Sequence, residues 1–325
     1  MSVQPLLSIV IANYNYGRFL EEAIKSVIDQ NMSNNVELII CDAASTDNSV
    51  DIIKKYARGL PPNISYFDWT NSVNHNSQTP PLITWWCSEP DGGQSAAFNK
   101  GFSHSHGRFL TWLNADDVML PGTIEKLKVA TERHPNREWF VGGVMWLDPS
   151  LHIFKCGRSR RMSEYRARLG VVNVCGPSSF FSKNLFERVG RCDERFKYTM
   201  DSDLWLRFAV VQGVNFRPFI DYAWGLRLHP DAKMSGHKVM SDGSILDGNT
   251  SKEAFAKNYT RQKQLEKEKM WTEEKLGFTR KRMSRLVQVI TADYIPAIVS
   301  RIDTYRYKGR FVFDLFSQTS KEAVK

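Results

Sequence analysis

Short apolar runs that end in polar turns and alternate with helical segments are the feature that most constrains this fold. Leu6 to Ile11 is rich in β-branched residues and stops at Asn13, and apolar residues from Phe19 to Ile28 then recur at helical spacing. Val36 to Cys41 is a second apolar run, again followed by a segment of helical pattern. Strands that alternate with helices in this way predict a parallel sheet with helices on both faces.

The rest of the chain continues the mixed α/β pattern. Residues 64–67 and 108–113 are predicted as the third and fourth strands, and 140–147 as a later strand that Gly142 and Gly143 interrupt. Further helices are predicted at 121–133, at the end of 176–190, from Asp201 to Val211, and from Ser251 to about Arg285. In parallel sheets of this kind the loops at the carboxyl ends of the strands form the ligand site.

Asp116 and Asp117 are the first candidate site residues, because they directly follow the apolar run Arg108 to Leu113. Adjacent carboxylates repel each other unless a cation or hydrogen-bond donors satisfy them. Mg²⁺ and similar hard cations use one or two carboxylates together with substrate phosphates. The alternative is a solvated turn whose aspartates cap the helix that follows Pro121.

Other polar clusters also lie at the ends of predicted strands, in a glycine-containing segment or at the start of a predicted helix. Asp42 ends the second strand, where a carboxylate can hold a ribose or a base, and the segment from Asp91 through Gln94 to Asn99 has glycines that permit close backbone approach to a ligand. A plain turn would explain those glycines equally well. Asp201 and Asp203 lie two residues apart at a helix start, where a carboxylate suits the helix dipole.

Several other function classes are excluded by what the sequence lacks. It contains no GxGxxG, GxxxxGK[ST], HExxH or GxSxG motif. Its five cysteines form no CxxC pair, which indicates reduced thiols in a cytoplasmic protein. No run approaches 18 apolar residues, and no basic region precedes the first apolar stretch, so neither a membrane span nor a secretory signal is predicted.

The positive charge is concentrated near the C-terminus. Residues 252–325 hold 17 Lys and Arg against 9 Asp and Glu, a net charge of +8, whereas residues 1–251 hold 27 and 26. No aromatic–basic interleaving accompanies these charges, so nucleic-acid binding is not predicted.

An amphipathic helix is predicted within this basic region. Arg280 to Arg285 is rich in basic residues, and an apolar helical stripe begins within it, formed by Met283, Leu286, Val287, Ile290 and Tyr294. Three interpretations are open for this helix: it lies on an anionic membrane, packs on the catalytic body or a second subunit, or is solvated.

Six segments, in order, resemble the inverting glycosyltransferases of family 2, which have the GT-A fold. They are SIVIANYNYGRFLEEAIKSVIDQ, ELIICDAASTDNS, EPDGGQSAAFNKGF, GRFLTWLNADD, MDSDLWLR and LRLHPDAKMS, which together run from about Ser8 to about Ser235. The resemblance implies a Rossmann-like mixed sheet, a nucleotide diphosphate sugar donor, and Mg²⁺ or Mn²⁺ as cofactor. It also implies a glycan or lipid-linked glycan acceptor, in bacterial cell-surface polysaccharide synthesis.

The resemblance implies a role for each matching residue. Asp201 matches the catalytic base, Asp117 the metal ligand, and His229 a histidine of the loop that closes on the diphosphate. His229 is thereby a second candidate for contact with the metal or the phosphate, and a plain surface-loop histidine is the alternative. The residues it implies for the donor nucleotide and sugar are Ala12, Tyr14, Asp42, Asp91, Asn99, Asn114 and Asp116. Asn114 stands where Asp is commoner, Met200 where Glu is commoner, and the DGSS-like segment reads DAAS. The choice of base between Asp201 and Asp203 therefore stays open.

The predicted organisation is a catalytic domain over 1–250 and a basic helical extension over 251–325. Within the first, 1–117 is expected to bind the nucleotide sugar and 118–250 the acceptor. Homo-oligomerisation through the extension is one expectation. A nucleotidyltransferase, or an inactive nucleotide-sugar-binding protein of the same fold, is the alternative function.

Overall fold

A computed structural model describes residues 4–30, 36–64, 82–160, 162, 164–168, 174, 176–216, 218–229, 231–232, 238–239, 245–246, 252–276 and 294–314. These residues fall into two compact units. The first draws on 1–138 and 179–195, and the second on 139–178 and 196–325.

The first unit is built on a mixed sheet of five strands in the order β3-β2-β1-β4-β8. All neighbours pair in parallel except β8, which is antiparallel to β4. The strands are β1 (Leu7–Asn13), β2 (Val36–Asp42), β3 (Trp85–Ser88), β4 (Phe109–Asn114) and β8 (Ser179–Ser182).

Helices of the first unit follow the strands as the periodicity predicts. The first of them, α1 (Gly17–Ile28), buries Leu20, Ala23, Ile24 and Val27, which lie on one helical face. The others are α2 (Ser49–Ala57), α3 (Gln94–Ser103), α4 (Thr123–Arg133) and α6 (Lys183–Arg188), and a two-residue strand β5 (Val118–Met119) precedes α4.

The second unit has β6 (Trp139–Leu147) between an antiparallel β7 (Ile153–Gly157) and a parallel β9 (Pro218–Arg227). Gly143 of β6 is needed there, because a Cβ would lie 2.0 Å from the carbonyl oxygen of Asp221. Its other elements are α5 (Glu164–Arg168), α7 (Met200–Leu206, continued by a π-helical turn), β10 (Lys238–Val239), β11 (Ile245–Leu246), α8 (Lys252–Leu276) and α9 (Tyr294–Tyr307).

Two expectations fall partly or wholly outside the described residues. Of the predicted strand 64–67, only Ile64 is described, and the third strand found is Trp85–Ser88. The basic segment from Arg280 to Arg285 and most of the apolar stripe after it also lie outside. In the part of the chain that is described, none of the helices combines the length and the apolar character that crossing a membrane requires.

Candidate functional site

The carboxyl ends of β1, β2 and β4 meet at one edge of the first unit. In the strand register Asn13 lies beside Asp42, and Ala12 lies between Cys41 and Asn114. Three of the predicted donor-binding residues, Ala12, Asp42 and Asn114, therefore share this edge. Tyr14 follows β1 directly and is 59% exposed, as a residue that stacks on a ligand would be.

Asp42 is almost fully buried, and its carboxylate accepts four hydrogen bonds. Asn13 Nδ2 and Ser45 Oγ donate to Oδ1 at 2.6 and 2.5 Å, and the Ser45 amide and Ser88 Oγ donate to Oδ2 at 3.0 and 2.6 Å. These bonds join the last residues of β1 and β3 to the end of β2 and to the loop that follows it. A carboxylate has about four lone-pair sites, and these four bonds occupy about that number. Asp42 therefore serves chiefly to hold neighbouring segments together. Its contact with a nucleobase stays a prediction.

Asn13 is a site residue that the sequence reasoning did not select. Its Oδ1 is buried and has no hydrogen-bond partner among the described residues, while its Nδ2 donates to Asp42. A buried acceptor without a partner is costly, and a donor N–H from a ligand would remove that cost. Its place at the end of β1, directly before Tyr14, is the signal that could have found it.

Further polar contacts join the loops after β1 and β2. Asn15 Oδ1 accepts from the Thr46 amide at 2.8 Å, and the Asn15 amide donates to Ser45 Oγ at 2.8 Å. Asp47 accepts from the amides of Gly17 and Ser49, the first residues of α1 and α2. Burial raises the pKa of Asp47, but these hydrogen bonds outweigh it and hold the pKa below its ordinary value. The charged carboxylate thus caps both helices.

Ala44 adopts a left-handed backbone conformation, with φ of 56°. A side chain in this region costs about 1–2 kcal/mol, which glycine avoids. Allowing for the greater freedom of glycine in the unfolded chain, Ala44→Gly should raise the free energy of unfolding by about 0.5–1 kcal/mol. Urea denaturation would measure it. Ala43→Gly is the matched control and should lower stability, because Ala43 is not among the residues with positive φ.

A second polar cluster forms around the end of β4. Asn114 Oδ1 accepts from Gln94 Nε2 at 2.8 Å, and Asn114 Nδ2 donates to Asp117 Oδ2 at 2.7 Å. Asp117 is 2% exposed, whereas Asp116 is only half-buried. Asn114, where the family usually has Asp, thus bonds the predicted metal ligand without adding a like charge.

The loop before α3 is tied locally and joins the β4 cluster through one side chain. Asp91 Oδ1 accepts from the Gly93 amide at 2.7 Å, and Gln94, the first residue of α3, is the one that contacts Asn114. Asn99 lies further along α3. Its side-chain Nδ2 donates to the carbonyl oxygen of Cys192 and to Glu194 Oε1, and its Oδ1 accepts from the Cys192 amide. The structure therefore gives Asn99 a bracing contact, and its role in donor binding stays a prediction.

Asp201 and Asp203 lie in the first turn of α7, in the second unit, and their surroundings differ sharply. Asp203 is fully buried, pairs with Arg207 at 2.7 Å, and has Lys275 Nζ at 3.3 Å. Asp201 is partly exposed and accepts a hydrogen bond from the Ser202 amide at 2.6 Å. Of the two carboxylates, Asp201 is the more exposed.

His229 also lies in the second unit, two residues after β9, and it is 1% exposed. The surface-loop position that was one interpretation of this histidine is not what the structure shows. Within the described ranges, no three His, Cys, Asp or Glu side chains come together as ligands of a metal. His229 as a metal ligand stays a prediction.

The sequence comparisons identify one family along much of the chain. The model of the family described as "Glycosyl transferase family 2" matches residues 8–190. A glycosyltransferase of Rickettsia prowazekii without a characterised activity is 27% identical over 219 residues, which are 65% of this chain and 61% of that protein. The minor teichoic acid biosynthesis protein GgaB of Bacillus subtilis is 31% identical over 130 residues, 40% of this chain and 12% of its own length.

A solved structure supports the fold. TarS of S. aureus (residues 1–349), in complex with UDP-GlcNAc, aligns with a TM-score of 0.52 at 14% identity. The alignment covers 71% of this chain and 60% of that one. This match confirms the predicted mixed α/β fold of the GT-A kind. Because the sequence identity is only 14%, the match supports the fold alone. The chain spans about 61% of the length of the first curated relatives that it matches.

Proposed function

The chain belongs to glycosyl transferase family 2, and from that membership we propose that it transfers a sugar from a nucleotide diphosphate sugar to a hydroxyl group of a glycan or lipid-linked glycan. The observation that carries the proposal is the edge where β1, β2 and β4 end. There Asp42 and Asn114 lie on either side of β1, in register with Asn13 and Ala12, and Asn114 contacts Asp117. Such edges of parallel sheets bind nucleotides. The teichoic acid role in the name of GgaB supports a cell-surface polysaccharide as the product class.

We assign the base to Asp201. A general base must be reachable by the acceptor hydroxyl and able to take its proton. The partly exposed Asp201 meets the first condition, whereas the oxygens of the buried Asp203 already bond Arg207 and Lys275. As Asp201 takes the proton, the acceptor oxygen bonds the anomeric carbon and the bond to the diphosphate oxygen breaks. One displacement from the opposite face inverts the configuration, and no covalent nucleophile is needed.

The residues at the end of β4 fit a divalent cation. Asp116 and Asp117 offer hard oxygen ligands, and Mg²⁺ commonly binds one or two carboxylates with substrate phosphates completing its shell. We propose that Asp117 holds Mg²⁺ or Mn²⁺ together with the donor diphosphate. When bound, the cation stabilises the negative charge that develops on the leaving diphosphate. Asp116 is then left to contact the ribose.

A donor screen tests this function against its alternatives. The purified chain is incubated with UDP-, GDP- and dTDP-sugars, UDP-GlcNAc first, with and without Mn²⁺, and the released nucleotide is identified. A nucleoside diphosphate supports glycosyl transfer. Pyrophosphate released from a nucleoside triphosphate and a sugar phosphate supports a nucleotidyltransferase instead. Tight binding of a nucleotide sugar without turnover supports an inactive binding protein.

We propose a membrane-associated location, which the orientation of α9 favours. Its polar residues Ser300, Asp303 and Thr304 face β7, where they bond Arg158 and the Cys156 amide. Three of its apolar residues point outward instead: Ile298, Ile302 and Tyr305 are 55%, 58% and 92% exposed. Arg301, Arg306 and Lys308 are exposed on the same helix or directly after it. An exposed apolar face flanked by cations is complementary to an anionic lipid surface.

Vesicle co-sedimentation tests this location. The full chain should bind phosphatidylglycerol vesicles, should not bind phosphatidylcholine vesicles, and should be released by salt. The double variant Ile302→Ser, Tyr305→Ser should bind vesicles about tenfold or more weakly. Each substitution removes the favourable free energy of transferring an apolar side chain from water into the membrane interface. Met270→Ser is the control, since Met270 is 68% exposed on α8. Vesicle binding that the double variant leaves unchanged would rule out α9 as the contact.

A further inference from the structure

The helix α8 turns a polar face toward the start of α7. Gln264, Glu268, Thr272 and Lys275 follow one another at helical spacing, and Glu268 and Thr272 are 0% and 2% exposed. A fully buried glutamate is rare unless its charge is paired or hydrogen-bonded. The contacts of Glu268 therefore indicate what α8 does.

Glu268 binds three consecutive backbone amides. Its carboxylate accepts from the amides of Lys197, Tyr198 and Thr199 at 2.7, 3.1 and 2.9 Å. Thr199 Oγ1 and Gln264 Nε2 donate to it as well, both at 2.9 Å. Successive backbone N–H groups that converge in this way form a concavity for an anion, and here the anion is a side chain of the same protein.

The charged form of Glu268 is the one that these contacts stabilise. Burial raises the pKa of Glu268, but the hydrogen bonds from Gln264, the Lys197 amide and Thr199 together hold that pKa below its ordinary value. A carboxylate whose pKa falls on folding stabilises the native state at neutral pH and loses this effect as the pH falls through the folded pKa.

The segment that Glu268 binds leads directly into the turn that carries Asp201. Thr199 is the N-cap of α7 and makes no side-chain cap of its own, and Asp201 is the second residue of that helix. A weaker second contact follows one turn along α8, where Thr272 Oγ1 and Lys275 Nζ lie 3.4 and 3.3 Å from Asp203 Oδ1. Together these contacts tie α8 both to the segment before α7 and to the first turn of α7.

We infer that Glu268 is a positioning residue for Asp201: α8 holds the start of α7, so that the carboxylate of Asp201 is aimed at the acceptor hydroxyl. This inference rests on the proposed function, since it concerns the base of that reaction. It makes α8 part of the catalytic apparatus. A displacement of a catalytic group by about 1 Å can lower the rate by about 10²-fold. Loss of the Glu268 contacts is therefore expected to have a measurable effect on kcat.

Glu268→Gln tests the inference, with Glu266→Gln as the matched control on the exposed side of α8. We expect Glu268→Gln to lower kcat by about 10- to 100-fold. KM for the donor and the Kd of the nucleotide should stay within about twofold, because the donor-binding candidates belong to the other compact unit. Amides 197–199 should exchange with deuterium about tenfold faster or more, since they lose bonds to a charged acceptor.

The opposite results are equally clear. A folded Glu268→Gln variant with wild-type kcat overturns the inference, and so does a fall in kcat that comes with an equal loss of nucleotide binding. If that variant does not fold, Glu268→Asp, which keeps the charge on a shorter side chain, is judged by the same criteria. A wild-type chain that transfers no sugar contradicts the proposed function instead. Unchanged exchange at amides 197–199 would then overturn the role of Glu268 independently of activity.

Discussion

Asp201→Asn is expected to lower kcat for sugar transfer by about 10²–10⁴-fold, the range that a general base contributes. The substitution keeps the shape of the side chain and removes its ability to take a proton. KM and nucleotide binding should change little, because the contact with the acceptor proton matters in the transition state. Steady-state kinetics together with calorimetric titration of the nucleoside diphosphate would check both parts.

Asp203→Asn is the matched control for this prediction, two residues along the same helix. Asp203 is fully buried and pairs with Arg207, which is itself 4% exposed. Removal of one partner leaves a buried charge uncompensated, so the free energy of unfolding should fall by about 3–5 kcal/mol. A variant at 203 that is stable but inactive, beside an active variant at 201, would transfer the role of base to Asp203.

Asp117→Asn is expected to remove most of the metal-dependent transfer. Asparagine can still accept the hydrogen bond from Asn114 Nδ2 through its carbonyl oxygen, so the fold should be retained. Because a bound cation stabilises the leaving diphosphate by several kcal/mol, kcat/KM should fall by about 10²-fold or more. Calorimetric titration of Mn²⁺ in the presence of nucleoside diphosphate should show weaker binding of the metal.

Asp116→Asn is the control for the metal assignment. Asp116 is adjacent and half-buried, and it is proposed to face the ribose, so this variant should raise KM for the donor while Mn²⁺ binding is retained. If Asp117→Asn kept the Mn²⁺ dependence and the rate of the wild type, the assignment of the metal to Asp117 would be wrong.

Much of the first unit could be predicted because its strands and helices have strong local patterns. The apolar runs that become β1, β2 and β4 are continuous and β-branched or aromatic, as strands buried on both faces require. The polar residues that follow them could be located for the same reason, since parallel strands bring their carboxyl ends to one edge. The predicted strand 64–67 lies mostly outside the described residues, and β3 was not predicted. The four residues of Trp85–Ser88 are too few to show a period.

The site needed the fold before its residues could be told apart. Asp201 and Asp203 are equivalent in the sequence, and only packing buries one against Arg207 and leaves the other accessible. Asp42 and Asn99 were selected as ligand-binding residues, yet the structure uses their polar atoms in bonds to neighbouring loops. The partner of a polar atom depends on contacts between residues far apart in the chain, which no local pattern records.

The sequence by itself determined the family, most of the strand–helix order of the first unit and the edge where the candidate site lies, because hydrophobic periodicity and short motifs depend on neighbouring residues. The tertiary structure alone decided which face of α8 packs. Its pattern is highly charged, and periodicity identifies a buried face by apolar residues, so the sequence did not indicate which face of α8 packs. The face that α8 turns toward α7 instead carries Gln264, Glu268, Thr272 and Lys275, and it packs there because backbone amides and Asp203 satisfy those groups.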